Sequence, residues 1–139
     1  MNFFKEEIKP KFDHYGYTLK HKWNLVGPGR ELGLGWGTIL KHDIDKLWDP
    51  SIVDAYSDYL FGPKGRKGSN DPKVYKRFRE QVQEHYERSP HHYHKIGKPQ
   101  PMENQLERAA DVYSLLKTTG QTDLDFADWY GNNKGKFFK

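Results

Sequence analysis

The chain has 139 residues and a formal net charge of +4 at pH 7, and it contains no cysteine. The lack of cysteine excludes disulfides, thiolate metal sites and a cysteine nucleophile, so any metal must be held by imidazole and carboxylate groups. The positive charge favours anionic partners such as nucleotides or nucleic acid, but acidic residues are interleaved with the basic ones almost everywhere, which makes the nucleic-acid signal weak.

A single domain over residues 1–139 is expected from this length, with 8 Phe, 9 Tyr and 4 Trp supplying much of a modest core. No stretch is long and apolar enough to cross a bilayer, and the amino terminus has no cleavage-like site. We therefore expect a cytoplasmic protein with no membrane partner.

Capping residues and apolar periodicity predict an all-α fold, a compact bundle of about five to seven helices. Asp49, Asp71 and Ser89 each precede a proline. Such a pair is a good helix start, because the side chain can accept a bond from a free backbone amide and proline suits the first helical position. Gln100 before Pro101 is a poorer cap, and no segment shows the strict alternation of a half-buried strand. The predicted helices span residues 15–26, 35–47, 50–60, 72–88, 90–96, 101–119 and 124–130.

The first predicted helix carries two histidines on one face. On a wheel of about 100° per residue, His14, Thr18, His21 and Leu25 lie together. Histidine is the commonest metal ligand and the usual proton-transfer group. Either histidine could be internal, and the wheel does not choose between them.

Asp43, which directly follows His42, falls on the most apolar face of the second predicted helix. An ionised carboxylate in such a place is costly unless it is paired, hydrogen-bonded or bound to a metal. Two interpretations stay open: Asp43 belongs to a functional site, or it forms an ion pair with Lys46 or another cation. The residues that share its sector on the wheel are Trp36, Ile39, Leu40 and Leu47.

The segment 62–71 combines Gly, Pro, Ser and Asn with three cations, Lys64, Arg66 and Lys67. This composition predicts a loop that is mobile when empty and could close over an anion. A solvated surface loop is the more common outcome for such a composition.

Four of the seven histidines crowd into the sequence EHYERSPHHYHK. His85 ends an apolar stripe formed by Val74, Tyr75, Phe78 and Val82, so it should point inward, where a hydrogen-bonded core histidine is more common than a ligand. His91 and His92 fall in the first turn of the next helix, about 100° apart. They could bind two adjacent metals, or one metal and a phosphate, because a helix amino terminus favours an anion. Alternatively, both could be exposed surface residues without a ligand. His94 has no such support and is expected to be exposed.

The helix predicted over residues 101–119 places Asp111 away from its apolar stripe, beside Glu107 and Leu115. From the wheel alone, Asp111 is therefore expected to be a solvated carboxylate. Val112 and Leu115 suggest that this helix is covered on more than one side. The apolar stripe consists of Met102, Leu106, Ala109, Ala110, Tyr113 and Leu116.

The order His21, His42-Asp43, Asp111 resembles the H…HD…D signature of the HD superfamily of all-α, metal-dependent phosphohydrolases. His85 and the pair His91-His92, between the HD dipeptide and the last aspartate, resemble the binuclear branches of that superfamily. Lys46 completes a motif similar to HDxxK.

A closer similarity is to a small uncharacterised family common in bacteriophage genomes, over residues 17–117. The motifs that carry it are TLKH, KHDIDK, EHYERSPHH and LERAAD. Two positions depart from its pattern: Glu84 stands where the first histidine of an HH pair is usual, and Ser89-Pro90 replaces an asparagine-containing step. For a phage protein, the expected location is the host cytoplasm.

The resemblance implies one metal held by His21, His42, Asp43 and Asp111. It also implies a second metal held by His85 with His91 or His92, and Asp43 bridging the two ions. Nitrogen and oxygen donors suit Mn, Fe, Co, Ni, Zn or Mg. Lys46 and Arg88 are then candidates for stabilising charge on a phosphate, and Lys64, Arg66 and Lys67 could hold a second phosphate.

The expected activity is hydrolysis of a phosphomonoester or phosphodiester, a nucleotide or related compound, by water activated at the metal. Two alternatives stay open. Some HD proteins use a similar set of residues as a di-iron oxygenase. The second alternative is a basic, non-catalytic module that binds nucleic acid or protein. In that case we expect salt-dependent binding that persists after the metal is removed by a chelator.

Overall fold

The computed structural model describes residues 3–92 and 102–136, and across these residues the chain is helical with no strand. The expected all-α fold is confirmed. In chain order, the α-helices are α1 (Lys9–Glu31), α2 (Trp36–Lys41), α3 (Asp45–Trp48), α4 (Pro50–Tyr56), α5 (Pro72–Arg88), α6 (Met102–Thr118) and α7 (Phe126–Asn133).

Two of the proline-containing start signals are confirmed at the level of hydrogen bonds. The Asp49 carboxylate accepts a bond from the Ser51 amide at 3.0 Å, at the start of α4, and the Asp71 carboxylate accepts one from the Lys73 amide at 2.9 Å, at the start of α5. These carboxylates satisfy amides that have no partner inside the helix. At the third signal, the described residues end in a 3-10 turn, Pro90–His92.

The rest of the helix predicted over residues 90–96, His94 within it and the start expected at Gln100 and Pro101 lie outside the described residues. The predicted boundaries of α5 are confirmed, and those of α6 are correct to one residue at each end. By contrast, α1 is much longer than the predicted 15–26. It ends close to Gly33, whose φ of 79° is a left-handed conformation that favours glycine.

The single helix predicted over residues 35–47 is wrong, because Asp43 interrupts it. Its φ is 54°, the left-handed conformation, which breaks a right-handed helix and which aspartate tolerates better than most residues. Even before the break, within α2, the predicted apolar face is only partly buried. Ile39 is buried as expected, but Trp36 is 51% exposed and Leu40 61% exposed.

The described residues form two compact units. Unit 1 contains residues 3–19 and 43–88, and unit 2 contains residues 20–42, 89–92 and 102–136. One boundary falls within α1 and another falls between His42 and Asp43. The single domain expected over residues 1–139 stays a prediction.

The core of unit 1 is built on α4 and α5. Ile52 and Ala55 of α4 are fully buried, and the Tyr56 ring meets Phe78 of α5 edge to face at a centroid distance of 5.0 Å. One π-helical turn, Ser57–Phe61, extends α4 towards the following loop. These contacts hold α5 against α4.

The loop 62–71 is held by its own backbone. The Arg66 amide donates to the Tyr59 carbonyl at 2.9 Å, and the Asp71 amide donates to the Lys64 carbonyl at 2.8 Å. A β-carbon at Gly65 would lie 2.0 Å from the Tyr59 carbonyl oxygen, so that only glycine fits. The segment predicted to be mobile when empty is thus internally hydrogen-bonded.

The core of unit 2 surrounds α6. Ala109 and Tyr113 pack with Phe126 and Trp129 of α7, and the Tyr113 hydroxyl donates to the Leu124 carbonyl at 2.8 Å. A second cluster consists of Leu25, Leu34, Ile39 and Ala110. α6 is therefore covered on more than one side, as Val112 and Leu115 suggested. Among the helices of residues 3–92 and 102–136, none combines the length and apolar character that a bilayer crossing requires.

Candidate metal-binding site

The face predicted on α1 is buried, since His14, Thr18, His21 and Leu25 are each at most 2% exposed. Within unit 1, the His14 Nε2 atom lies 2.7 Å from the Lys46 carbonyl oxygen, to which it donates a hydrogen bond. Burial lowers the pKa of His14, with the Lys46 carbonyl opposing this effect only in part. His14 is therefore a hydrogen-bonded core histidine, and His21 is the member of the pair that joins a cluster of possible ligands.

Three buried atoms of unit 2 form a triangle. The Asp111 Oδ1 atom lies 2.9 Å from His21 Nε2 and 2.9 Å from His42 Nε2, and the two nitrogens lie 3.1 Å apart. Each of the three side chains is at most 4% exposed. The expectation that Asp111 is solvated is wrong, because this face of α6 is covered by histidines from elsewhere in the chain.

The outer nitrogens of both histidines have polar partners on α6. The Ser114 hydroxyl donates to the His21 carbonyl at 2.5 Å, so it accepts a bond from His21 Nδ1, 2.7 Å away. The Glu107 carboxylate, which can only accept, lies 2.9 Å from His42 Nδ1. Both rings therefore carry a proton on Nδ1 and direct Nε2 towards Asp111. Metal-bound histidines in proteins are oriented by such outer partners.

This arrangement fits a metal ion. A metal with bonds of about 2.1 Å holds neighbouring octahedral ligand atoms roughly 3.0 Å apart, and the sides of the triangle are 2.9, 2.9 and 3.1 Å. Without a cation, three lone-pair donors face one another. With both imidazoles doubly protonated, two N–H groups crowd against one oxygen. His21, His42 and Asp111 are thus positioned to hold a metal ion, and two nitrogens and an oxygen suit Mn, Fe, Co, Ni or Zn.

The two buried carboxylates of α6, Glu107 and Asp111, stay ionised. Burial alone would raise the pKa of Asp111, but the His42, His21 and His91 imidazoles outweigh it and hold that pKa well below its usual range. Burial opposes ionisation of Glu107 in the same way, and hydrogen bonds with His42 and His91 bring its pKa to about 2. Negative charge is therefore available to compensate a bound cation.

Glu107 also joins His91 to the cluster in unit 2. The Glu107 Oε2 atom lies 2.6 Å from His91 Nδ1, and the rings of His91 and His42 are 4.3 Å apart. These three residues form a second group of donors within 4.8 Å of one another. His92 is half-buried, with its ring 4.0 Å from that of His91. His91 contacts two carboxylates of α6, those of Glu107 and Asp111.

Asp43 lies in a second cluster, within unit 1. One of its oxygens is 3.2 Å from His85 Nε2 and the other is 3.1 Å from Lys46 Nζ. The ion pair with Lys46 is thus confirmed, together with a contact to a buried histidine. His85 Nδ1 lies 2.8 Å from the Asp45 carboxylate, so this ring has the same pattern of an outer carboxylate and an inner donor. The bridging role expected of Asp43 stays a prediction.

His85 is buried and lies inward at the end of its stripe, as expected. Burial would lower its pKa, but the Asp43 and Asp45 carboxylates reverse the direction and raise it. Both carboxylates favour the imidazolium form of His85 in the metal-free chain.

The cations predicted to bind phosphate lie in different places within unit 1. Arg88 donates to the Asp49 carboxylate at 3.0 Å and lies 3.7 Å from Asp45, and its hydrogen bond lowers the pKa of Asp49. Arg88 therefore supports the carboxylate that orients His85. Lys64, Arg66 and Lys67 are exposed on the loop 62–71. The contacts seen in the described residues join none of these three side chains to Asp43 or His85.

The sequence patterns do not indicate a site role for three residues of these clusters: Asp45, Glu107 and Ser114. The signal for two of them is the spacing, since Glu107, Asp111 and Ser114 are at i, i+4 and i+7 and share one face of α6. A polar stripe with helical spacing predicts a solvated face unless another part of the chain covers it. Asp45 lies within the HDIDK motif, but only the first aspartate of that motif matches the HD signature.

No family model matches the chain, and neither a curated protein nor a solved structure matches it. The relationship to the HD superfamily accordingly stays a prediction from the motifs. The metal-binding geometry of His21, His42 and Asp111 stands independently of it.

Proposed function

We propose that this protein is a metal-dependent phosphohydrolase whose metal is held by His21, His42 and Asp111. The observation that carries the proposal is the triangle of His21 Nε2, His42 Nε2 and Asp111 Oδ1, with sides of 2.9 to 3.1 Å. The motif order that resembles the HD superfamily supports the choice of a phosphate ester over other substrates. The net charge of +4 also favours an anionic substrate such as a nucleotide.

The reaction adds water across a phosphate ester, breaking the phosphorus–oxygen bond to release an alcohol and a phosphate. A bound divalent metal would lower the pKa of a water molecule and polarise a phosphoryl oxygen. The chain contributes a rigid and buried ligand set. Ser114 and Glu107 keep the protons of His21 and His42 on Nδ1, so that the Nε2 lone pairs stay available.

Metal analysis of purified variants tests the ligand set. We expect about one equivalent of metal in the wild type and its loss in His21→Gln and Asp111→Asn. His14→Gln is the matched control, because His14 is as buried as His21 and lies two turns earlier on the same helix. Circular dichroism of each variant shows whether it folds. The ligand assignment is contradicted if His21→Gln and Asp111→Asn both retain metal. It is also contradicted if the control His14→Gln loses as much metal as they do.

The activity is tested with p-nitrophenyl phosphate, bis(p-nitrophenyl) phosphate and a set of nucleotides, each with Mn, Fe, Co, Ni, Zn or Mg. We expect hydrolysis with at least one metal and without oxygen, and its loss in Asp111→Asn. A metal-loaded wild type that hydrolyses none of these compounds refutes the phosphohydrolase. Oxygen consumption by an iron-loaded protein would indicate the oxygenase alternative instead.

A further inference from the structure

The outer face of α5 carries an exposed groove within unit 1, with a volume of about 830 Å³. Tyr75 is 41% exposed, and the other apolar side chains of the groove are partly exposed. An aromatic surface of this kind on a soluble helix is typical of a protein contact. The apolar residues of the groove are Tyr59, Tyr75, Phe78, Val82 and Tyr86.

Charge is divided along the same helix. The first half of α5 is cationic and the second half is anionic, apart from the terminal Arg88. An identical helix packed in the antiparallel direction would place the cationic half of each copy against the anionic half of the other. On this helix, the cations Lys76 and Arg79 and the anions Glu80, Glu84 and Glu87 line the groove, whereas Arg77 is paired with Asp58.

We infer that this groove is the interface of a homodimer in which α5 packs antiparallel against α5 of a second copy. With the two-fold axis at the level of Glu80, Lys76 faces Glu84 of the other copy and Phe78 faces its Val82. Lys76 is exposed and lies 3.9 Å from Glu80 of its own helix. That exposed contact is weak, so it does not prevent Lys76 from pairing with the second copy.

The predicted dimer is weak. A helix of 17 residues is about 25 Å long, and a helix pair of this length lies at the low end of specific protein interfaces. We therefore expect a dissociation constant on the order of tens to hundreds of micromolar. High salt should weaken the dimer because its charged contacts are exposed.

Sedimentation velocity between about 10 μM and 1 mM tests this inference with a charge swap. Lys76→Glu and Glu84→Lys should each weaken the dimer about tenfold, since a symmetric dimer contains each altered contact twice. The double variant Lys76→Glu/Glu84→Lys should restore it, because the contact is then present with reversed sign. Arg66→Glu, a charge reversal of an exposed residue outside the groove, is the matched control.

A wild type that stays monomeric throughout this range overturns the inference, and so do single variants that dimerise like the wild type. A double variant that stays as weak as the single ones also contradicts the antiparallel arrangement. Val82→Asp, which places a charge in the groove, provides a second disruption that does not depend on Lys76 or Glu84. Thermal unfolding of each variant separates loss of dimer from loss of fold.

Discussion

Replacing Glu107 by glutamine should weaken metal binding without removing a ligand of the proposed metal. The Glu107 carboxylate is 2.9 Å from His42 Nδ1 and holds the proton there. Glutamine can keep a neutral acceptor at this position but loses the negative charge, and charge-assisted hydrogen bonds are roughly twice as strong as neutral ones. Outer partners of metal-bound histidines are typically worth a factor of about 10 to 100 in metal affinity, which corresponds to roughly 1.4 to 2.7 kcal/mol.

Competition with a chelator of known affinity measures this change on metal-free protein. Glu103→Gln is the matched control, since Glu103 lies one turn earlier on α6 and its carboxylate accepts a bond from the Thr38 hydroxyl at 2.9 Å on the protein surface. We expect Glu103→Gln to bind metal like the wild type. Nitrogen-15 NMR spectra of His42 supply a second measurement. A weaker hydrogen bond from Nδ1–H to residue 107 should increase the fraction of His42 in the tautomer with its proton on Nε2.

Unchanged affinity in Glu107→Gln would refute the view that Glu107 orients His42 for a metal. An equal loss in Glu103→Gln would refute it too, because the effect would then come from the charge of α6 in general. A change in affinity with the His42 spectrum unaltered would show that Glu107 acts on the cation through space rather than through the proton on Nδ1.

The remaining predictions concern stability and are measured by chemical denaturation. Trp129→Ala should lower the free energy of unfolding by about 3 to 5 kcal/mol, because Trp129 of α7 is 5% exposed and packs against α6; a loss below about 1 kcal/mol would argue against this core. Gly65→Ala should destabilise by more than about 1 kcal/mol, since its β-carbon would lie 2.0 Å from the Tyr59 carbonyl oxygen. Gly16→Ala in α1 should stabilise by roughly 0.5 to 1 kcal/mol, because nothing lies within 4 Å of its β-carbon; equal effects of the two substitutions would contradict the reasoning.

The helices could be predicted largely from local signals. The caps at Asp49 and Asp71 follow from side-chain chemistry, and the face shared by His14 and His21 follows from helical spacing, which leaves open which of the two histidines is internal. The break at Asp43 could not be found in this way. A left-handed residue at the end of a helix is usually glycine, but here it is an aspartate. The sequence therefore predicts a continuous helix.

The candidate site shows where a helical wheel fails. Asp111 lies opposite an apolar stripe, so the wheel predicts an exposed carboxylate, yet its side chain is buried and Asp111 is only 3% exposed. A wheel measures which residues share a face, and it assumes that polar faces meet water. When the covering residues are themselves polar, as His21 and His42 are, the buried face and the solvated face look alike in sequence. Only the motif order indicated Asp111.

The polar stripe of α6 has a consequence for how the metal site is assembled. One short span of helix supplies the carboxylate of Asp111 and also the two groups, Glu107 and Ser114, that decide which nitrogen of each histidine is protonated. Unwinding these two turns, residues 107–114, would remove a ligand and release both rings together. Metal affinity and the local opening of α6 should therefore be linked, so that amide hydrogen exchange in these two turns slows when metal is added, while α7 serves as the internal reference.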